Sequence, residues 1–402
     1  MRARTGLFVL GLTAVACGSA DGGGADAGPA SSTLAPRGEV LEAAENVAAP
    51  QASSSARAAE KEVVEIPAGK CKLGSTPGDK GRDPLLEPAP FEVELGAFDV
   101  DRDVYPNQAG QRPRTGVTRD EAAALCKARG RRLCTDAEWE HACKGPTNDA
   151  FAGRPAWDPK CASAPSDCPS AFGVLGMGLA LREWTASDVA PVEDIVAGAA
   201  SVRGARGEAR DVDHRCARRS AVDPSAKSDD LGFRCCGGEP NDRAYAAPKW
   251  QPTFRKVELS ASKLAEMLKS VPQLSKSTGD VHYFEESAAK EVVARADAGA
   301  DAPKGIELTT APLLWNPLPG EEILVVAGAA GGDAFIVAFY RLPDERYRVG
   351  SSLVLRKEKG PIVLGYDGSV KRRLSWATCW GCPGESGLIA YRDDNRVVVT
   401  QE

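Results

Sequence analysis

The spacing of apolar and polar positions changes several times along the chain, and each change marks an element or a boundary. An apolar run over 7–15 follows the cations Arg2 and Arg4 and ends in Ala14-Val15-Ala16-Cys17. It is far shorter than the ~20 apolar residues that a bilayer span needs, so it reads as an export signal. Over 18–60 Ala, Gly, Ser and Pro dominate, with too little apolar surface to offset the entropy of ordering, which predicts a flexible tether. Alternation begins near Val63 and is strict in Phe91-Glu92-Val93-Glu94-Leu95, the pattern of a half-buried strand. Thr118 with Glu121 and Thr135 with Glu138 form capping boxes ahead of two helices, and Gly130 closes the first. On the second helix Trp139, Ala142 and Cys143 share one face and look inward. From about Pro146 to Cys236 no period holds.

A Gly- and Pro-bearing stretch over 238–252 reads as a linker to a further unit over 253–402. There Ser260 or Ser262 caps a helix whose Leu264, Met267, Leu268 and Val271 recur at helical spacing, ended by Pro272. A second helix is expected over 285–295. Strands follow over 323–327, 334–340, 346–355, 362–366, 370–377, 387–391 and 396–400, an antiparallel meander packed by two helices.

Composition narrows the chemistry. A net charge of -6 over 402 residues supplies no basic field for nucleic acid. Three histidines, His141, His214 and His282, have no metal-ligand spacing. His141 and His214 with Glu140 are the nearest thing to a catalytic set, and satisfied polar residues are the better reading of them. Nine cysteines lie from Cys71 to Cys236, and export implies an oxidising compartment, so disulfides are the default over metal binding. Cys379-Trp380-Gly381-Cys382 precedes Pro383-Gly384 and a strand, not a helix, so it reads as a local structural disulfide. Arg203, Arg206, Arg210, Arg215, Arg218 and Arg219 either face an anionic ligand such as a polysaccharide or pair with Asp211, Asp213, Asp223, Asp229 and Asp230. Asp101, Asp103 and Glu183 are read as solvated or ion-paired acids.

Two resemblances extend this reading. Ala14 to Cys17 resembles a bacterial lipobox, with Ala14 where leucine is usual, which implies a signal peptide with lipobox over 1–17 and lipid carried on Cys17. Ordinary cleavage after Ala16 also fits and would leave Cys17 a bystander. Then Val64-Glu65-Ile66-Pro67-Ala68-Gly69, Gly130-Arg131-Arg132-Leu133-Cys134-Thr135-Asp136-Ala137-Glu138-Trp139-Glu140, Phe172-Gly173-Val174-Leu175-Gly176-Met177, Glu183-Trp184-Thr185, Val202-Arg203-Gly204 and Leu231-Gly232-Phe233-Arg234-Cys235 occur in order. Over 61–237 the chain thereby resembles the formylglycine-generating enzyme, or sulfatase-modifying factor, family. The resemblance implies an irregular, disulfide-stapled α+β fold related to C-type lectins, followed here by a helix-plus-antiparallel-β-meander domain of no recognised family. It implies disulfides Cys126 with Cys235 and Cys143 with Cys216. Cys161 with Cys168 and Cys134 with Cys236 are added as expectations, as is Cys379 with Cys382, which leaves Cys71 odd.

The family's activity does not carry over. Its copper is held by two cysteines five and ten residues before the one matching Cys216, and here those positions are Asp211 and Arg206. Neither replaces the soft thiolates that select Cu(I). The iron-dependent relatives need a histidine cluster that is absent here. Where the family's Gly-Asn helps to hold calcium stand Leu179 and Ala180, so calcium is left to backbone carbonyls alone. No cofactor is expected. The expectation is an exported, membrane-anchored lipoprotein of a bacterial cell envelope, its first domain a catalytically degenerate binding or structural module for a protein or polysaccharide. The alternative is an oxidoreductase acting on protein thiols through Cys71 or Cys134.

Overall fold

The computed structural model describes residues 62–402 except 192–194, 196, 243–244, 246–249, 278, 296–304, 357–359, 368–372, 381 and 393–394. The signal over 1–17 with its Cys17, and the tether over 18–60, lie outside the described residues.

The first domain runs β1 (Val63–Ile66), β2 (Gly69–Leu73), β3 (Phe91–Leu95), β4 (Phe98–Asp101), α1 (Arg119–Ala128), β5 (Arg132–Leu133) and α2 (Asp136–Lys144). It continues through α3 (Lys160–Ser163), β6 (Arg182–Asp188), β7 (Ala200–Arg203), β8 (Arg219–Val222), β9 (Leu231–Phe233) and β10 (Cys235–Gly237). These strands make a sheet ordered β1-β4-β10-β5, a second ordered β8-β7-β6-β9, and the β2–β3 hairpin. Both capping boxes form: the Thr118 and Thr135 hydroxyls accept from the N–H groups of Glu121 and Glu138, whose carboxylates accept in return. Gly130 adopts φ 70° just past α1, a conformation that costs glycine little.

Helix α2 is the centre of this domain, and every one of its nine residues is buried. Its apolar face, with Trp139, Ala142 and Cys143, packs on Ile66, Val100, Val174 and Met177. The Trp139 indole N–H donates to Glu183 at 2.9 Å, so a large apolar group is buried with its one donor satisfied. Trp184 does the same with the Val117 carbonyl at 3.0 Å, in a neighbouring cluster with Phe233 and Leu231.

The second domain runs β11 (Thr253–Lys256), α4 (Ala261–Leu268), β12 (Val281–His282), α5 (Ala288–Ala294), β13 (Glu307–Thr309), β14 (Leu313–Leu318) and β15 (Glu321–Ala330). It ends with β16 (Asp333–Arg341), β17 (Tyr347–Leu355), β18 (Val363–Tyr366), β19 (Arg373–Ala377), β20 (Ser386–Tyr391) and β21 (Val397–Val399). The meander is divided between two antiparallel sheets, one ordered β11-β14-β15-β16-β17 with β12 on β15, the other β13-β18-β19-β20-β21. Alternate residues of β15 and β16 explain the layering. Ile323, Val325, Ile336 and Ala338 face Leu364, Leu374, Trp376 and Ile389 of the second sheet. Leu324, Val326, Phe335 and Phe339 face Leu264, Met267 and Leu268 of α4 and Val271 just past its end. Helix α5 closes the far side with Val292 against Val363, Ala377 and Trp380. The order is helix, sheet, sheet, helix. β15 and β16 therefore read as continuous apolar runs because both of their faces are covered. The sequence pattern missed β11, β12, β13 and β14. The first three are short and largely polar or exposed, and β14 carries Asn316 and Pro317 where its pairing with β15 shifts register.

Residues 62–402 belong to one compact unit, and specific contacts join the two domains. Arg82, in the loop between β2 and β3, forms an ion pair with Glu321 of β15, both almost wholly buried. Tyr391 donates to the same carboxylate at 3.0 Å, and Asp79 pairs with Arg348 at 2.8 Å. Gly78, at φ 78°, lies flat on Tyr340; a Cβ there would stand 2.6 Å from the ring. Within 238–252, Asn241 donates hydrogen bonds to Glu138 and Tyr245 is buried beside Arg203, so these residues pack into the first domain, while Trp250 donates to Asn316 of the second at 2.7 Å.

Candidate functional site

The cysteines set the frame. The structure joins Cys126 to Cys235, Cys134 to Cys236, Cys143 to Cys216, Cys161 to Cys168 and Cys379 to Cys382. The adjacent Cys235 and Cys236 belong to β10 and tie α1 and the start of α2 to one strand. Among the described residues Cys71 is the free thiol, buried in β2 against Leu95, Ala137 and Tyr245. Burial, reinforced by the Glu140 carboxylate and opposed by Lys144, pushes its thiol up to about 11, so it carries little thiolate at neutral pH. Cys134, the other thiol considered for chemistry, is consumed in a disulfide.

Arg206 and Asp211 are the positions that counting back from Cys216 would assign to the family's copper cysteines. Both are exposed, and Arg206 pairs with Glu208 at 3.0 Å and reaches Asp229 at 3.9 Å. A guanidinium cannot ligate a metal, and one exposed carboxylate is no Cu(I) site, so the residues present do not fit copper. For calcium, residues 179–183 supply no free side-chain oxygen. Ala180 offers no side-chain oxygen, while Glu183 is fully buried with both oxygens held by Arg234 at 2.7 and 2.9 Å. Among the described residues no group of three or more His, Cys, Asp and Glu side chains is placed to hold a metal ion.

The histidines are not brought together. His141 packs edge-on to Phe172, and His214 stacks on Trp157 with its Nδ1 2.8 Å from the Gly178 carbonyl. No hydrogen bond or ring contact joins them among the described residues. Glu140, grouped with them in the sequence reading, turns instead to Lys144, Arg203 and Tyr245. Asp101 is buried on β4, accepting the Cys235 N–H and pairing with Arg129 and Arg131; Asp103 anchors a turn through Asn107.

The basic stretch pairs internally: Arg206, Arg210 and Arg218 with acids the sequence suggested, Arg203, Arg215 and Arg219 with others. Arg203 and Arg219 both hold Asp136, at 3.0 and 2.6 Å, and Arg203 also holds Glu140 at 3.0 Å. Arg215 takes Glu87 at 2.7 Å. Of the nearby acids, Asp213 serves Arg210 and Arg218 and Asp229 lies 3.9 Å from Arg206, whereas Asp230 pairs with Arg182 and Asp223 bonds Ser225. The reason is desolvation: a guanidinium buried in the core requires a carboxylate buried with it, whatever their distance in sequence.

This buried lattice has a defined electrostatic state. Desolvation is the largest influence on Asp136 and raises its carboxyl, but Arg203, Arg219 and the Ser201 hydroxyl outweigh it and hold the group below the usual range. Glu140 is likewise held low by Lys144 and Arg203 against burial. Tyr245 is pushed well above its usual value, by burial first, and its ring lies under two guanidiniums, Arg203 at 5.1 Å and Arg219 at 4.7 Å. Its hydroxyl donates to Glu140 and accepts from Arg203. Every member is charged or polar and has a partner within the lattice. Tyr245, Glu87 and Asp136 carry no local motif that would have announced these roles.

Residues 99–237 match the family described as sulfatase-modifying factor enzyme 1-like domain. No curated protein matches the chain. Among solved structures, PvdO from Pseudomonas aeruginosa is 20% identical with a TM-score of 0.34, over 43% of this chain and 93% of that one. Treponema denticola variable protein 1 is 17% identical at 0.35, over 43% and 94%, and CarF is 16% identical at 0.34, over 45% and 98%.

Proposed function

Because residues 99–237 form a sulfatase-modifying-factor-like domain, we propose that this chain is an exported, lipid-anchored protein in which that domain no longer performs the family's copper chemistry and serves as a rigid binding or structural module. The observation that carries the reading is the side-chain chemistry at 206 and 211, an ion-paired arginine and an exposed aspartate in place of two thiolates. Cys71, the free thiol among the described residues, supports it, being buried and hard to ionise. Five disulfides suit an oxidising compartment, and among the described residues no helix is long and apolar enough to cross a membrane. Attachment is then the task of Cys17, and the occupant of the module is a protein or polysaccharide ligand.

The purified chain, incubated with excess Cu(I) and freed of unbound ion, is expected to retain no stoichiometric copper and to leave the thiol of a cysteine-containing peptide unoxidised. One copper per chain with peptide oxidation would establish the oxidoreductase instead. For the anchor, mass spectrometry of the mature N-terminus should find an acylated Cys17, and an unmodified cysteine or a start elsewhere would remove it.

A further inference from the structure

The cavity between the β2–β3 strap and α2 is not used by any of the roles above. It has a volume of about 120 Å³ and is lined by Lys72, Ser75, Thr76, Asn148, Asp79 and Lys144, among others. Helix α2 builds it. Lys144 donates to the Gly74 carbonyl at 2.6 Å and the Lys72 carbonyl at 3.3 Å, while Glu140 accepts the Gly74 N–H at 2.7 Å, so the strand end is clamped from both sides. From across the cavity Asn148 accepts the Lys72 N–H at 2.9 Å.

What this clamp leaves over is a set of donors. The Ser75 hydroxyl is buried, with Ser75 only 5% exposed, and has no hydrogen-bond partner. A buried polar group in that state costs free energy unless something enters to satisfy it. The Lys72 ammonium, the Thr76 hydroxyl and the Asn148 amide nitrogen make no hydrogen bond or ion pair among the described residues. The acids nearby are occupied: Asp79 by Arg348 and the Thr76 N–H, Glu140 by Lys144 and Arg203, Glu87 by Arg215. Behind the cavity the buried lattice sets two carboxylates, Asp136 and Glu140, against three cations, Lys144, Arg203 and Arg219. Both the local donor set and the wider charge balance therefore favour a negative occupant.

The geometry points to a small-oxyanion site in this cavity, with Lys72, Ser75, Thr76 and Asn148 as its ligands and Lys144 as the residue that positions them. The cavity holds a few waters or one compact anion, so the ligand is a single carboxylate or a tetrahedral sulfate- or phosphate-type group, free or borne on a larger molecule. Charge-assisted hydrogen bonds from lysine and hydroxyl donors are the usual means of holding such groups. The site is independent of positions 206 and 211, and a failure here leaves the copper experiment untouched.

Calorimetric titration of the full mature chain with sodium sulfate and with sodium acetate, at ionic strength held constant with chloride, tests it. One saturable site is expected for at least one anion, and the tighter of the two tells an ester-type group from a carboxylate. Lys72→Ala and Ser75→Ala should each weaken it by about tenfold or more. Lys70→Ala, which removes an exposed lysine of the same strand already paired with Glu92, should not. Ser75→Ala deletes a hydroxyl without a partner, so its melting temperature in anion-free buffer should equal or exceed that of the parent chain, which separates loss of the site from loss of the fold. No saturable binding of either anion, or equal affinity in Lys72→Ala, Ser75→Ala and the parent, would overturn the assignment.

Discussion

Removing both disulfides that end on β10 should cost the first domain about 6 to 7 kcal/mol, while removing either one alone should cost about 3 kcal/mol. The inequality follows from connectivity. Cys126–Cys235 and Cys134–Cys236 have sequence separations of 109 and 102, yet their half-cystines are neighbours at both ends. While one bond stands, breaking the other frees a ring of only about a dozen residues. Breaking both frees the long connection, limited then by Cys143–Cys216. Because a domain's whole stability is about 5 to 15 kcal/mol, the fourfold Cys→Ala variant is expected to be largely unfolded at 37 °C. Denaturant unfolding of the two paired variants and the fourfold variant measures this. A fourfold loss equal to a single loss would mean that the chain constraint is not what stabilises this domain.

Asp136→Ala is expected to cost about 3 to 5 kcal/mol, because it strands two buried guanidiniums, Arg203 and Arg219, without their shared partner. The carboxylate also accepts from Ser201 at 2.6 Å and Thr185 at 3.2 Å and sits in the first turn of α2, where a negative charge suits the helix dipole. Asp136→Asn keeps an acceptor but not the charge and should fall between. A loss below about 1 kcal/mol for Asp136→Ala would show that the lattice is not essential. The same group sets a pH dependence. Asp136, Glu138 and Glu140 all titrate below their usual range when folded, so the unfolded chain binds more protons in acid. Their contribution is complete above about pH 5 and is lost as pH falls through the ordinary carboxylate range and below it. Glu321 runs the other way: burial raises its carboxyl despite Arg82, so its share declines as pH rises through that raised value. Acid melting curves of Asp136→Asn should therefore be flatter than those of the parent chain.

The candidate site was legible only in part. That Asp211 and Arg206 stand five and ten residues before Cys216, with no cysteine between Cys168 and Cys216, is legible by counting alone, because residue type needs no structure. The basic stretch from Arg203 to Arg219 could not be resolved that way. It offered six cations beside five local acids, and the buried ones chose Asp136, Glu140 and Glu87 instead. Similarly, α2 showed an inward face at Trp139 and Cys143, but nothing in its period announced that Asp136, Glu138, Glu140 and Lys144 would be buried as well.

By itself the sequence determined what depends on near neighbours: the capping boxes at Thr118 and Thr135, the stripe of α4, the runs of β15 and β16, and the ordered motifs that match a sulfatase-modifying-factor-like domain over 99–237. These are contests among conformations a few residues long, settled by hydrogen bonds and apolar period within one or two turns. Only the tertiary structure decided which distant groups meet: Arg82 with Glu321, 239 residues apart, the division of one meander into two facing sheets, and the unmatched donors around Ser75. Those choices are made by desolvation, since a charge or a sheet face withdrawn from water accepts whichever partner the fold brings beside it.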